Sequence, residues 1–353
     1  MVPTYNRASL LARALDSLLV ADRPSGLELM VTVVNNRSTD DTHSVVERFM
    51  PRFGGHLRCL YESKPGRSHA LNTGISASCG DLVAMIDDDE EVDRGWLRTI
   101  AAAFEDPATD FIGGPYVPRW GGERPLWLGR AYRAVIGWVE CGHVTQQFGP
   151  GCEAMLMGGN AVIRRSILER VGPYSVDLGR MPGRLMSCED EDMFTRLLAV
   201  GARGFYRPDL LIYHYVPPER LTKRYFRSWC FWRGVSQGML DRRQPAAVPY
   251  VLGVRRYMIG VAVRRTIDMI RTLFGRRDPE RIFKDELAWW DLAGFIYGKH
   301  VYRFRSPVDG SITSPQELAG GEKDPLTSAN RTAVPRPLSL APGAVPDKGP
   351  NPP

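Results

Sequence analysis

Residues 82–91 read Leu82-Val-Ala-Met-Ile86 followed directly by Asp87-Asp-Asp-Glu-Glu91. A short apolar run of this kind predicts a buried strand, and this strand ends abruptly in five carboxylates. Ligands of open α/β sheets bind beyond the carboxyl ends of the strands, so we expect the carboxylates at a binding crevice. Side by side they repel one another, and a divalent cation relieves that repulsion. Oxygen ligands of this type select Mg²⁺ or Mn²⁺. The alternative interpretation of the same residues is a solvated acidic turn at the end of a strand.

The chain around this stretch alternates between helical and strand patterns, which indicates an α/β fold. Leucine and alanine recur at helical spacing between Leu10 and Leu19, residues 29–34 are typical of a buried strand, and helices are predicted at residues 40–49 and 92–104. The opening Met1-Val-Pro-Thr4 supplies only the end of a first strand. We therefore expect a truncated first strand and a true start upstream of Met1.

Charge and composition divide the chain into three regions. Residues 1–218 sum to about −4, residues 219–305 to about +11 and residues 306–353 to about −1. We expect a catalytic domain at 1–218, a helical, basic and aromatic-rich region at 219–305, and a disordered Pro-, Gly- and Ser-rich tail at 306–353. The six cysteines include no C-x-x-C pair, which favours reduced thiols in a cytoplasm, and no apolar run is long enough to predict a spanning helix.

Two further polar clusters are candidates for chemistry. Glu189-Asp190-Glu191-Asp192 directly precedes apolar residues at helical spacing. A carboxylate at a helix N-terminus serves as a general base, but the same residues also suit a helix cap. The run from Asn35 to Thr42 follows the strand at residues 29–34, where polar side chains can bind a nucleobase or ribose; by itself this is a weak signal.

Taken in order, these motifs resemble those of family 2 glycosyltransferases, which have the GT-A type of fold with a mixed central sheet. The resemblance covers residues 1–218 and rests on the segments Pro3-Thr-Tyr-Asn-Arg7, 35–42, Ala70-Leu-Asn-Thr-Gly74, 87–89, Gly158-Gly-Asn160 and Glu189-Asp190. It implies an inverting transferase that moves one sugar from a nucleotide-diphosphate sugar to an acceptor hydroxyl, in cell-surface or extracellular polysaccharide or glycolipid assembly.

The resemblance also implies roles for individual residues. Asp190 matches the catalytic base, and Asp89 and Asp87 match the D-x-D motif that binds Mg²⁺ or Mn²⁺. His214 stands where many relatives carry a metal- or diphosphate-contacting histidine; a lone histidine is as often structural. The implied donor-binding residues are Pro3, Thr4, Asn6, Asn35, Arg67, Asn72, Asp87, Asp88, Gly159, Asn160 and Glu189.

Two departures from the family pattern bear on specificity. Asn35 replaces the usual Asp, so the carboxylate contact to a uracil-type base is absent; the amide oxygen still accepts from a ring N–H, but its amino group changes the base preference. No Gln-x-x-Arg-Trp motif occurs; Arg227-Ser-Trp-Cys-Phe-Trp232 lies in the expected region without matching it. Transfer of a single sugar is therefore favoured over processive synthesis.

The basic region places Arg220, Lys223, Arg224 and Arg227 at helical spacing among aromatic residues. This mix is typical of interfacial helices, and the alternative is helices packed on the catalytic domain with solvated arginines. We expect a cytoplasmic protein, or a peripheral one on the inner face of the plasma membrane, with a sugar or lipid-linked acceptor.

Two other functions fit parts of the sequence. A nucleic-acid-binding protein would use the basic third, but no nucleic-acid-binding motif is found and nucleic acid is not expected as a partner. A metal-dependent nucleotidyltransferase would use the carboxylates, but the chain has no glycine-rich, lysine-containing phosphate loop.

Overall fold

The computed structural model describes residues 1–303 apart from 129–132, 134, 182 and 275–278. The tail predicted at 306–353 lies outside the described residues. The strands, β1 to β13 in chain order, are Val2–Thr4, Val31–Asn35, Leu57–Tyr61, Leu82–Met85, Glu90–Val92, Phe111–Gly113, Tyr116–Trp120, Gln146–Gln147, Ala161–Arg164, Gly204–Tyr206, Ile212–Val216, Tyr250–Val251 and Val254–Arg255.

Nine α-helices accompany these strands in the described part of the chain. Helices α1 to α9 are Ala8–Val20, Thr42–Phe49, Arg67–Ala77, Trp96–Phe104, Arg165–Val171, Glu189–Ala199, Lys223–Arg243, Arg256–Phe274 and Pro279–Ile296. Short 3₁₀ turns cover Met50–Phe53, Gly158–Asn160 and Pro218–Leu221, and a π-helical turn, Tyr297–Val301, extends α9.

The strands build a mixed sheet, as predicted. Strands β1, β2 and β3 are parallel neighbours, and a second set runs in the order β4-β9-β6-β10-β8. Two backbone hydrogen bonds join the sets, from the Ile86 N–H to the Met1 carbonyl and from the Met1 amine to the Ala84 carbonyl. The carboxyl ends of β1, β2 and β4 therefore lie along one edge, where the sequence places its polar clusters.

Amphipathic helices cover both faces of this sheet. One core packs Leu11 and Leu15 of α1 and Trp96 of α4 with residues of α2 against the strands. The other packs Leu71 of α3 with apolar residues of α5 and α6, including Leu197. In α1, α2 and α6 buried residues recur three or four positions apart, which is the signal that predicted α1 from sequence.

The predicted helix at 92–104 begins later, at Trp96. Residues Glu90–Val92 instead form β5, which pairs antiparallel with β11 so that Glu90 lies opposite His214. The apolar spacing from Val92 onward fits a helix, but strand pairing with residues more than 100 positions away overrides that local preference. The predicted helix at 40–49 similarly begins at Thr42, and the strand predicted at 29–34 begins at Val31.

The region after residue 218 is mostly helical, as expected, and α7 and α9 approach each other backbone to backbone. A Cβ atom added at Gly234 or Gly238 of α7 would overlap backbone carbonyls of α9, and one at Gly294 of α9 would overlap the carbonyl oxygen of Phe231. Glycine is required at this crossing because any side chain would force the helices apart. Across the described residues, we find no helix with both the length and the apolar character needed to cross a bilayer.

We predict that Gly294→Ala lowers the free energy of unfolding by about 1–3 kcal/mol, because the added methyl group overpacks the crossing with α7. Chemical denaturation of the purified variant measures this change. Gly260→Ala in α8 is the matched control, since a Cβ there meets no atom within 4 Å. The control should be neutral or stabilising by up to about 1 kcal/mol, as helix propensity dictates. Equal effects of the two substitutions would contradict the close crossing.

Candidate active site

A large open cavity of about 2190 Å³ lies at the carboxyl ends of β1 and β4. Its floor contains residues from the ends of these strands, including Pro3, Thr4 and Asp87, and from the start of α6, including Asp190. It continues along α7 and α8. The volume exceeds that of a typical small-molecule site, which leaves room for two substrates side by side.

Three carboxylates converge on the floor of this cavity. One oxygen from each of Asp87, Asp89 and Glu90 lies within 4.8 Å of the others. The turn between β4 and β5 creates this convergence, and a Glu90 oxygen accepts a hydrogen bond of 2.7 Å from the Asp87 N–H. Hard oxygen donors in this number suit Mg²⁺ or Mn²⁺, so the residues present fit a divalent cation.

Two arginines pair with the neighbouring carboxylates of Asp88 and Asp89. Arg7, at the start of α1, lies 2.8 Å from oxygens of both Asp88 and Asp89. Arg220, in the turn before α7, lies 3.1 Å from Asp89. The Thr4 hydroxyl donates to Asp88 over 2.8 Å. Asp88 is therefore bound by β1 and α1, and Asp89 links the strand end to the C-terminal region.

The carboxyl groups of Asp88 and Asp89 differ in their pKa values. Burial raises the pKa of Asp88 to about 6, outweighing the lowering by Arg7. Asp89 is also buried, but His214 when protonated, then Arg220 and Arg7, outweigh the burial and hold the pKa of Asp89 well below its usual range. The Asp89 carboxyl therefore stays ionised to a lower pH than the Asp88 carboxyl does.

Glu90 shows how crowded the negative charges are. Burial, together with the charges of Asp87 and Asp89, raises the pKa of Glu90 well above its usual range. Like charges held this close destabilise the ionised form, and a bound divalent cation reverses that effect.

His214 lies beside this cluster, where the resemblance predicted it. Its Nε2 is 3.7 Å from an Asp89 oxygen and 3.1 Å from a terminal nitrogen of Arg220. In the neutral histidine, Nε2 accepts from Arg220, since a guanidinium only donates, and the proton then lies on Nδ1. That Nδ1 is buried and has no hydrogen-bond partner among the described residues.

Arg67, the first residue of α3, connects the strand-end cluster to α6. Its guanidinium lies 2.9 Å from Asp87, 3.3 Å from Glu189 and 3.2 Å from Asp190. Burial alone would lower the pKa of Arg67, but these carboxylates raise it well above its usual range, so the group stays charged. Burial and then the Asp190 charge raise the pKa of Glu189 to about 7.

The residue before Glu189 has an unusual backbone. Cys188 has a φ of 74°, in the left-handed region that non-glycine residues rarely adopt. This conformation begins α6 abruptly and sets Glu189 and Asp190 in its first turn, on the cavity wall. All six cysteines, Cys188 included, are free.

The Gly158–Asn160 turn fits between the two acidic groups. A Cβ at Gly158 would overlap the Asp190 carboxylate, and one at Gly159 would overlap the Glu90 carboxylate. Glycine is required here because the backbone passes directly against both acids. Of these two residues, only Gly159 lines the cavity among the described residues.

Four of the residues predicted to bind the donor do not line the cavity and instead hold its walls together. Asn160 is fully buried, accepts from the Trp96 indole and donates to the Leu210 carbonyl. Asn72 exchanges two hydrogen bonds with the Tyr174 backbone. Asn35 accepts from the Ser38 N–H and Asn6 from the Thr39 N–H, which ties the turns after β1 and β2 together. Their short polar side chains satisfy nearby backbone groups first.

Three residues of the cluster were given no individual role in the site by the sequence analysis. Glu90 was part of the acidic run but fell at the edge of a predicted helix, and Arg220 was assigned to a basic helix face. Arg7 stood inside a quoted motif without a role. The signal that points to the arginines is charge balance, because buried carboxylates need cations nearby.

Comparisons with known proteins agree with this geometry. Residues 1–172 match the family model described as "Glycosyl transferase family 2". The chain is 27% identical over 229 residues to the glucosyl-dolichyl phosphate glucuronosyltransferase of Haloferax volcanii, covering 63% of this chain and 69% of that protein. It is 28% identical over 235 residues to the succinoglycan biosynthesis protein ExoM of Rhizobium meliloti, covering 64% and 71%.

The fold has a counterpart among solved structures. The mannosyltransferase PcManGT from Pyrobaculum calidifontis, solved with GDP-Man and Mn²⁺, superposes with a TM-score of 0.56 at 19% identity, covering 84% of this chain and 85% of that one. At that identity the likeness concerns the fold, and the sequence match carries the family. The match of residues 1–172 to the glycosyl transferase family 2 model and the GT-A type of fold identify the chain as a glycosyltransferase.

Proposed function

We propose that the protein is an inverting, metal-dependent transferase that moves a single sugar from a nucleotide-diphosphate sugar to an acceptor hydroxyl. The observation that carries this proposal is the meeting of two acidic groups in one cavity. Asp87, Asp89 and Glu90 come from the strand end, Asp190 comes from the start of α6, and Arg67 contacts both groups. Neither a nucleic-acid-binding role nor nucleotidyl transfer accounts for the family match of residues 1–172.

Asp89, Asp87 and Glu90 are the residues that would hold a divalent cation, with His214 beside them. A bound Mg²⁺ or Mn²⁺ supplies positive charge that stabilises a diphosphate leaving group. The fold counterpart from Pyrobaculum calidifontis was solved with GDP-Man and Mn²⁺, which supports this assignment. Arg7 and Arg220 both contact Asp89, so their guanidinium groups are placed to bind phosphate oxygens beside this carboxylate.

We assign the general base to Asp190. It lies in the first turn of α6, near the partial positive charge of the helix N-terminus, and it lines the cavity. Arg67 orients it by an ion pair, and Gly158 leaves room for its carboxylate. From this position Asp190 accepts the proton of an acceptor hydroxyl that attacks the sugar from the face opposite the leaving group.

The donor side of the cavity includes Pro3, Thr4, Asp88, Gly159 and Glu189, which all line it. We assign donor binding to these residues, within a catalytic domain at 1–218. The acceptor side lies where the cavity continues along α7 and α8. By their names, the relatives act in dolichyl phosphate and succinoglycan chemistry, which supports an acceptor in glycolipid or polysaccharide assembly. A lipid-linked acceptor would place the protein at the periphery of the inner face of the plasma membrane.

We predict that Asp89→Asn abolishes transfer and weakens Mn²⁺-dependent binding of GDP or UDP at least about tenfold, because the cation loses its best ionised ligand. A thermal-shift titration of each nucleotide with and without Mn²⁺ measures the binding, since a ligand of the native state raises Tm.

The matched control is Glu91→Gln. Glu91 follows Glu90 in β5 but pairs with Arg13 and Arg119, away from the cluster. It should keep the Mn²⁺-dependent shift. Activity of Asp89→Asn at the wild-type level in buffer with a chelator would show that the cluster binds no catalytic cation.

For Asp190→Asn we predict donor binding close to wild type and a fall in kcat of roughly 10²–10⁴, the usual contribution of a general base. The amide still accepts a hydrogen bond from Arg67, so Tm should change little. Glu191→Gln removes the same charge from the same helical turn and should retain kcat. A loss of stability in Asp190→Asn with unchanged kcat would mean that Asp190 only caps α6.

A further inference from the structure

Helix α8 carries a stripe of apolar side chains that are partly exposed to solvent. Val263, Ile267 and Ile270 are spaced four and three residues apart, so they lie on one side of the helix. Trp289 of α9 extends the stripe, because its indole nitrogen donates to the Thr266 hydroxyl of α8 over 2.9 Å. Each of the four side chains is between 43% and 48% exposed.

The packing of α8 is provided by a different side of the helix. Met258 and Ala262 are buried against Leu292 and Phe295 of α9. A helix needs only one such side to be held in place, so the stripe is additional apolar surface. In the following, the lipid-facing surface means Val263, Ile267, Ile270 and Trp289.

Exposed arginines flank this surface. Arg256, Arg264 and Arg271 are all exposed on α8. Arg256 and Arg264 have no carboxylate within ion-pair distance among the described residues, and Arg271 has only Asp268 of its own helix, at 3.8 Å. The side of α8 that carries apolar groups toward solvent is therefore bordered by positive charge.

Several other basic residues of the region form ion pairs within the protein. Arg227, Arg233 and Arg265 pair with acidic residues of α9, and Arg255 pairs with Asp241. Both partners of each of these pairs lie within residues 219–305, so the excess of about +11 already allows for them. Arg220 and Arg227, expected on an exposed basic face, belong instead to the active site and to the α7–α9 packing.

A third side of α8 faces the active site. Tyr257, Val261 and Arg264 line the cavity that contains Asp190. One helix therefore forms part of the cavity wall and, on the adjoining side, presents the lipid-facing surface to solvent.

We propose that α8 lies in the headgroup region of an anionic bilayer, with the lipid-facing surface inserted and Arg256 and Arg271 against lipid phosphates. Apolar and indole side chains next to arginines are the chemistry that binds such an interface without crossing it. Because the same helix lines the cavity, an acceptor anchored in that membrane enters beside α8; this last step rests on the transferase function proposed above.

Charge favours a membrane over a second copy of the chain as the occupant. In a two-fold dimer the same patch meets itself, so the arginines of one copy would approach those of the other. Anionic lipid phosphates provide the opposite charge instead.

The test uses the full chain and vesicles of phosphatidylcholine with or without phosphatidylglycerol. We expect the wild-type protein to co-sediment with the anionic vesicles at low ionic strength and to dissociate at high ionic strength. The double variant Ile267→Gln with Ile270→Gln should bind at least about tenfold more weakly, because it removes inserted apolar surface while α8 keeps its packed side. Arg256→Gln with Arg271→Gln should lose the preference for anionic vesicles.

Matched controls distinguish binding through this surface from non-specific adsorption to vesicles and from effects on the nucleotide site. Val20→Ser removes an exposed apolar side chain of α1, and Arg23→Gln with Arg48→Gln removes two exposed charges elsewhere. Both controls should co-sediment like the wild type, and every variant should keep its Mn²⁺-dependent nucleotide shift. That shift reports the transferase site separately from membrane binding.

Three results would overturn the proposal. The wild type stays in the supernatant with anionic vesicles at low ionic strength, or the α8 variants co-sediment like the wild type. The third is a wild-type dimer in size-exclusion chromatography that the Ile267→Gln, Ile270→Gln variant converts to a monomer, which would make the surface a contact between copies.

Discussion

The burial of several carboxylates at the end of β4 is the constraint on which the rest of the structure depends. Negative charges removed from water must be paired or must share a cation, because an isolated buried charge is too costly to keep. Arg7, Arg67 and Arg220 meet this requirement, and each comes from a different part of the chain. The strand end therefore fixes the start of α1, the start of α3 and the turn before α7 relative to one another. The active site and the assembly of the fold are held by the same ion pairs.

Glycine residues also shape the site, because they let the backbone pass directly against these carboxylates. The Gly158–Asn160 turn passes between the Glu90 and Asp190 carboxylates, and side chains at the two glycines would push the acidic groups apart. The same solution recurs between α7 and α9, where glycine brings two helices into backbone contact. In both places the loss of a side chain allows two elements to be closer than ordinary packing permits. Close approach sets the spacing of the carboxylates in one case and the position of the helical region in the other.

The helical region after residue 218 also contributes residues to the candidate active site. Arg220 at its start contacts Asp89, and the cavity runs on from the carboxylates along α7 and α8. Much of its positive charge neutralises acidic residues of its own helices, so composition describes this region poorly. Arginines in internal ion pairs and exposed arginines look alike in a count of basic residues, although only the exposed arginines attract a partner. The distinction arises from which side of each helix is buried.

By itself the sequence determined the fold class, the family resemblance and the two acidic segments of the candidate site, because these depend on local patterns. The apolar run before Asp87 predicts a strand, and the acidic start of α6 stands directly before a helical pattern. Tertiary structure alone decided which residues complete the site. Glu90 belongs to the carboxylate cluster because β5 pairs with β11. Asn160, which the sequence predicted beside the donor, is buried outside the cavity because the Trp96 indole and the Leu210 carbonyl take its hydrogen bonds. A local pattern contains neither fact, since strand pairing and the partner of a buried amide are set by residues distant in the chain.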